Sequence, residues 1–335
     1  MAREAAEAPA VARRQIDRCG ALFEELGDRL RRRPPRLMVT CARGSSDHAT
    51  SYGKYLIEPL LGCAVASIGP SIASVYKGKL HLEGALFVAV SQSGRSPDLL
   101  HLTQAAREGG ALVVGFVNDE TSPLFQLCDV AVPLCAGTEV SVAATKSYIA
   151  SGLAFLQLAA HWNDDEALKS AVRGAPAMLE EARRQDWWPG LRTLAEAPSL
   201  YVIGRGVGLG AASEMALKFK ETCRIHAEAF SSAEVMHGPL ALVRPGFPVI
   251  ALGQNDESAE GLREVTSRLA ALGASVLSPL EGAGTIPLPA VAGVPPALSP
   301  LCQIQSFYGA VWRLALARGL DPDSPDNLRK VTETV

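Results

Sequence analysis

What this chain lacks narrows its function before any motif is considered. It has no stretch of 18 or more apolar residues, and its start, MAREAAEAPAVARRQ, carries acidic residues and no apolar core, so neither a membrane span nor a secretory signal is expected. Neither sign of charge is in excess: 32 Lys and Arg against 35 Asp and Glu give a formal net charge of −3, which argues against a nucleic-acid groove. The basic cluster RRRPPR, at 31–36, sits beside two prolines and reads as a solvated turn. The seven cysteines (19, 41, 63, 128, 135, 223 and 302) are odd in number and never in a C-x-x-C arrangement, which argues against a disulfide scaffold and a zinc site. Reduced thiols are expected, with Cys41 and Cys128 as small core residues. Gly204-Arg205-Gly206-Val207-Gly208 breaks the G-x-G-x-x-G spacing of a dinucleotide loop. The expectation is a cytoplasmic protein with no metal, no cofactor, and no membrane or nucleic-acid partner.

What is present is a duplication. Each of LMVTCARGSS (37–46) and LYVIGRGVGL (200–209) is an apolar run ending in Arg-Gly, and Gly44 and Gly206 differ by 206 − 44 = 162. ALFVAVSQSGRS (85–96) aligns with FPVIALGQNDES (247–258) at the same offset, Gln92 against Gln254, and EGGALVVG (108–115) matches ALGASVLS (271–278) within one residue. Apolar runs without polar alternation, separated by helical stretches such as SPDLLHLTQAAREGG, predict buried parallel strands with covering helices. With 335 residues, 48% hydrophobic and 20% charged, two α/β domains are expected. The boundaries read as an N-terminal helical segment at 1–34, a first domain at 35–165, a connecting span with Pro176, Trp187, Trp188 and Pro189, a second domain at 196–318, and a tail at 319–335.

Several polar segments stand at the ends of these elements. Ser91-Gln92-Ser93-Gly94-Arg95-Ser96-Pro97 follows a strand and opens a helix, so hydroxyls, backbone N–H groups and a helix N-terminus converge on one place, as an anion requires. Ser45 and Ser46 end a neighbouring strand, and Thr145 lies in VAATK. The matching turn of the second half, Gly253-Gln254-Asn255-Asp256-Glu257, is acidic and would repel a phosphate. From Glu214 to Leu242 the chain gathers two lysines, four carboxylates and two histidines, with Lys218 and Glu221 i,i+3 on one helix face. Alone, such a pair is an exposed and weak ion pair. Lys330, in a tail without hydrophobic periodicity, would alone be solvated.

These segments resemble, in order, the sugar isomerase (SIS) domain pair of glucosamine-6-phosphate synthase and its deaminase relatives. VSQSGRSPDL is similar to the family's phosphosugar loop, GTEVSVAATKSY to its second phosphate-side segment, KFKETCRIHAEAFSSAEVMHGPLALV to its acid/base helix and His-Gly-Pro turn, and DPDSPDNLRKVT to its catalytic tail. The resemblance spans roughly residues 20 to 335. It implies an α/β fold of two tandem SIS domains, each a three-layer parallel sheet flanked by helices, with a C-terminal catalytic tail. It further implies that Ser45, Ser46, Ser91, Gln92, Ser93, Ser96 and Thr145 hold a sugar phosphate. In the same reading Glu221 is the base, Lys218 stabilises charge beside it, His237 assists ring opening, and Lys330 forms an imine with the open-chain ketose while the tail acts as a lid. His226 and Glu228 fit a supporting role. A homodimer with His237 reaching across the interface is also implied. Arg95 departs from the synthase pattern, which has an acidic residue there.

The synthase carries a glutaminase domain with a cysteine after the initiator methionine, whereas this sequence begins Met1-Ala2, so glutamine is not expected as nitrogen source. The first expectation is therefore glucosamine-6-phosphate deaminase. A deglycase acting on a sugar such as fructoselysine 6-phosphate, or a galactosamine-6-phosphate deaminase, would use the same loop. The alternative of another class is a non-catalytic phosphosugar-sensing SIS protein.

Overall fold

Apolar runs without alternation become strands buried on both faces in each half of the chain. The computed structural model describes residues 1–330; residues 331–335, the end of the expected tail, lie outside the described residues. α1 (Ala2–Ala6) and α2 (Ala8–Arg32) open the chain. Then come β1 (Met38–Cys41), α3 (Ser45–Leu61), β2 (Val65–Ser67), α4 (Ser71–Ser74), β3 (Leu86–Ser91), α5 (Pro97–Glu108), β4 (Leu112–Val117), α6 (Pro123–Leu127), β5 (Val130–Pro133) and α7 (Lys146–Trp162). The five strands are parallel in the order β2-β1-β3-β4-β5. The middle strand β3, LFVAVS, is buried throughout, as a run without polar alternation requires. One face of this sheet packs Val39, Phe87, Val113 and Leu102 into a core; Phe116 carries an edge-to-face stack with Phe23 of α2 and Phe155 of α7.

α8 (Glu166–Arg184) and α9 (Trp188–Leu191) occupy most of the span that its prolines mark as connecting chain. Pro176 lies inside α8, and Trp187 is buried with its indole N–H on the Pro289 carbonyl at 2.8 Å. The second sheet is built from β6 (Ser199–Gly204), α10 (Gly208–Cys223), β7 (His226–Ser231), β8 (Pro248–Ala251), α11 (Ala259–Ala271), β9 (Ser275–Ser278), β10 (Thr285–Pro287) and α12 (Ser299–Ala317). It is again parallel, in the order β10-β9-β8-β6-β7, which is the first sheet's order repeated. The 162-residue repeat is thus a repeat of topology. By contact density the chain divides into two compact units. One holds residues 10–139, 146–173 and 329–330; the other holds 1–9, 140–145 and 174–328.

Candidate functional site

In the first unit β1 is followed by a neighbour on one side and β3 by a neighbour on the other, so a crevice opens between their carboxyl ends. Two helices begin there, α3 at Ser45 and α5 at Pro97. Arg43 clamps the two sides: its Nη2 and Nε donate to the buried Asp98 carboxylate at 2.6 and 3.0 Å, and Asp98 also receives the Leu99 N–H at 2.8 Å. The Ser91 hydroxyl accepts the Gly94 N–H at 2.9 Å and Ser93 accepts the Arg95 N–H at 3.3 Å, so both shape the turn while keeping a proton to donate. Gly94 is obligatory: its φ is +63°, and a Cβ would lie 2.1 Å from the Ser122 hydroxyl. The side chains of Ser46, Gln92 and Ser96 make no hydrogen bond among the described residues. Ser45 is buried at the start of α3. Unspent donors around a helix N-terminus suit an oxyanion.

Arg95 points its guanidinium at Asp119, 2.8 Å away, and Thr121, 3.2 Å away. The Thr121 hydroxyl and then Arg95 hold the Asp119 carboxyl below its ordinary range. The residue that departs from the synthase pattern is thus committed to a loop ion pair.

The corresponding crevice of the other unit, between β6 and β8, is closed by a side chain. The Gln254 amide donates to the Arg205 carbonyl (3.0 Å), Asp256 (2.9 Å) and Ser258 (2.9 Å). Gly204 and Gly208 serve strand-to-helix contact here, since a Cβ on Gly204 would lie 2.5 Å from the Gly208 carbonyl oxygen.

A buried charge cluster of this unit lies on the helix that follows β6. α10 carries Glu214, Lys218 and Glu221 at i, i+4 and i+7, one face of a helix. The Lys218 ammonium is 3.2 Å from Glu214 and 2.5 Å from Glu221, and Tyr308 of α12 donates to Glu214 at 2.7 Å. The side chains of Glu214 and Lys218 are 0% exposed and that of Glu221 is 19% exposed. The pair that its spacing alone would leave on the surface is therefore buried, because α12 covers it. Burial alone would pull the lysine down, but Glu214 and then Glu221 outweigh it and hold Lys218 above its ordinary value. Glu221 is the member of this cluster that opens to solvent, lining a cavity of about 210 Å³ with Thr222, Arg224, Asp321 and Asp326. His237 is exposed beyond a single 3-10 turn and makes no side-chain hydrogen bond among the described residues. His226 and Glu228 point outward from the edge strand β7. Thr145 is fully buried immediately before α7.

Lys330 meets a partner that sequence reasoning did not single out. Its ammonium is 3.2 Å from Glu139, whose side chain is 0% exposed and also receives the Ser147 hydroxyl at 2.6 Å and the Ser147 N–H at 3.2 Å. Glu214 was likewise missed, although its i,i+4 spacing from Lys218 could have found it. Tyr308, 94 residues from Glu214, left no local signal. Among the described residues no cluster of His, Cys, Asp and Glu is arranged to hold a metal ion, and no helix is long and apolar enough to cross a membrane.

Two parallel sheets of one repeated topology thus carry a hydroxyl-lined crevice in one unit and a buried carboxylate–lysine cluster in the other. The SIS domain family model matches residues 33–161 and 193–278, and the chain belongs to that family. It is 34% identical over 322 residues to the glutamine–fructose-6-phosphate aminotransferase (isomerizing) of Aeropyrum pernix, an alignment covering 88% of this chain and 50% of the relative. The chain spans about half the length of such curated relatives. A crystal structure of a candidate phosphosugar isomerase from Silicibacter pomeroyi is 43% identical, with a TM-score of 0.92 over 96% of this chain and 99% of that one. A glucosamine-6-phosphate deaminase from Thermotoga maritima shares the fold, at 22% identity and a TM-score of 0.72 over 98% of this chain and all of that one.

Proposed function

We propose that this chain is a glucosamine-6-phosphate deaminase, converting glucosamine 6-phosphate and water to fructose 6-phosphate and ammonia in the cytoplasm. The observation that carries the reading is Lys218 buried between two carboxylates with Glu221 alone facing solvent. A carboxylate so placed can take a proton from C2 of the open-chain sugar and return it to C1, while the adjacent ammonium offsets the charge that develops. C1 becomes an alcohol and C2 an imine. Lys330 displaces ammonia from that imine and water then frees the ketose. Glu139 holds the Lys330 side chain in place at 3.2 Å. Ser45, Ser46, Ser91, Gln92, Ser93, Ser96 and Thr145 take the phosphate and nearby hydroxyls, and His237 assists ring opening.

The reading includes a homodimer in which His237 serves the partner's site, a role supported by its exposure and by its making no side-chain hydrogen bond among the described residues. Ammonia release from glucosamine, galactosamine, N-acetylglucosamine and fructoselysine 6-phosphates tests the activity. Release from glucosamine 6-phosphate above the others is expected. Preference for another member reassigns the substrate, and binding without release from any would make the chain a sensor. Mixing inactive Glu221→Gln and His237→Ala chains under verified subunit exchange should restore activity; none would remove the shared site.

A further inference from the structure

Outside the sites described, one cluster in the first unit carries reactive chemistry without a role in sugar isomerisation. Cys19 lies on α2 and Cys135 in the loop after β5, 116 positions apart by 135 − 19. Both thiols reach the same acceptor, the Pro133 carbonyl, at 3.5 and 3.6 Å, which brings the two sulfurs to one place. Cys19 is buried, whereas Cys135 is half-buried and open to a small oxidant. Cys135 holds a left-handed backbone, φ +57°, with Arg14 bonded to its carbonyl at 3.1 Å, so a costly conformation is maintained where the thiols meet. Arg18, the neighbour of Cys19 in sequence, places a guanidinium beside the pair while bound in a fork to Glu120.

We propose that Cys135 and Cys19 form a peroxide-responsive thiol pair in which Cys135 is oxidised first and Cys19 resolves it to a disulfide. The Cys135 thiolate attacks one peroxide oxygen, the O–O bond breaks, and hydroxide leaves, giving a sulfenic acid. The Cys19 thiol then attacks that sulfur; the S–S bond forms as the S–O bond breaks and water leaves. Over both steps the two thiols lose two electrons and hydrogen peroxide is reduced to two waters. The local electrostatics favour this order. The neighbouring Cys19 thiol pulls the Cys135 thiol down to about 7 against the penalty of burial, with the Arg18 guanidinium adding to it. Elsewhere burial pushes Cys223 up to about 11 and Cys128 and Cys302 up to about 12, which leaves them inert.

The test treats the reduced full-length protein with hydrogen peroxide, alkylates the remaining thiols under denaturing conditions, and maps the peptides by mass. Loss of two of the seven thiols, a linked peptide joining Cys19 to Cys135, and full reversal by dithiothreitol are expected. In Cys19→Ala the sulfenic acid should persist at Cys135, trappable by dimedone, and progress to the sulfinic acid. In Cys135→Ser the oxidation should vanish. If Cys19→Ala does not fold, the wild type still decides, through the order in which its cysteines take a limiting alkylating agent: Cys135 must be first by at least tenfold. Oxidation shared evenly among the cysteines, a bridge between other residues, or disulfide-linked dimers through Cys135 would overturn the proposal.

Discussion

The two halves share strand order and a 162-residue offset, yet each has lost what the other keeps. Gln92, at the first crevice, makes no hydrogen bond among the described residues, while Gln254, its counterpart, spends its amide on three acceptors and fills the second crevice. The helices after the first strands differ the opposite way. Subtracting 162 from Glu214, Lys218 and Glu221 gives Tyr52, Leu56 and Pro59 of α3, so one helix buries an aromatic and an aliphatic side chain where the other buries a charge cluster. Duplication supplied two equal scaffolds. A polar cluster and an open crevice both weaken a domain, and each half carries one of these costs.

The largest effect should come from imposing the first half's residue on the second. Lys218→Leu leaves the buried Glu214 and the partly exposed Glu221 without their cation, and a loss of about 3–5 kcal/mol is expected in urea unfolding, together with loss of turnover. Adding Glu214→Gln should return part of that stability; equal stability of single and double variants would mean that Lys218 is not what pairs Glu214. The linkage has a definite sign. Folding raises the Lys218 value, so its stabilisation is complete below the unfolded value of about 10.4 and is lost as pH rises through the folded one. Wild-type stability should therefore fall more steeply than that of Lys218→Leu in the alkaline range.

Glu221→Gln is the sharper probe of chemistry, because it keeps size and hydrogen bonding at a partly exposed position. Ammonia release should drop by a factor on the order of 10² or more with little change in Tm. Near-normal release would remove Glu221 from the mechanism.

Smaller effects separate the two crevices. Replacing Ser91 and Ser93 by Ala should weaken glucosamine 6-phosphate binding by roughly 1.5–3 kcal/mol per charge-assisted hydrogen bond, read as lost thermal protection. Protection of the wild type by unphosphorylated glucosamine equal to that by its 6-phosphate would discard the cradle. Gln254→Ala, the mirror experiment, should cost stability of about 0.5–1.5 kcal/mol per bond and leave sugar-phosphate affinity unchanged. A fall in affinity would show that the second crevice also serves the ligand.

The fold was legible because parallel strands buried on both faces need uninterrupted apolar runs, and LFVAVS announces β3 without help from any other segment. The turn from Ser91 to Pro97 was legible as a strand-to-helix junction for a similar reason, since Ser96 and Pro97 mark a helix start locally. Lys218 and Glu221 were located by spacing, but their burial depends on α12, and no periodicity in α10 encodes a cover that arrives some 90 residues later. Glu139 escaped notice because its value comes from a cation at the other end of the chain.

That last pairing bears on how the chain is tied. Glu139 and Lys330 stand 191 residues apart in sequence, yet both belong to the same compact unit, so their contact closes a long loop. The entropy of such a closure grows only slowly with length, so this tie costs little more than a much shorter one would.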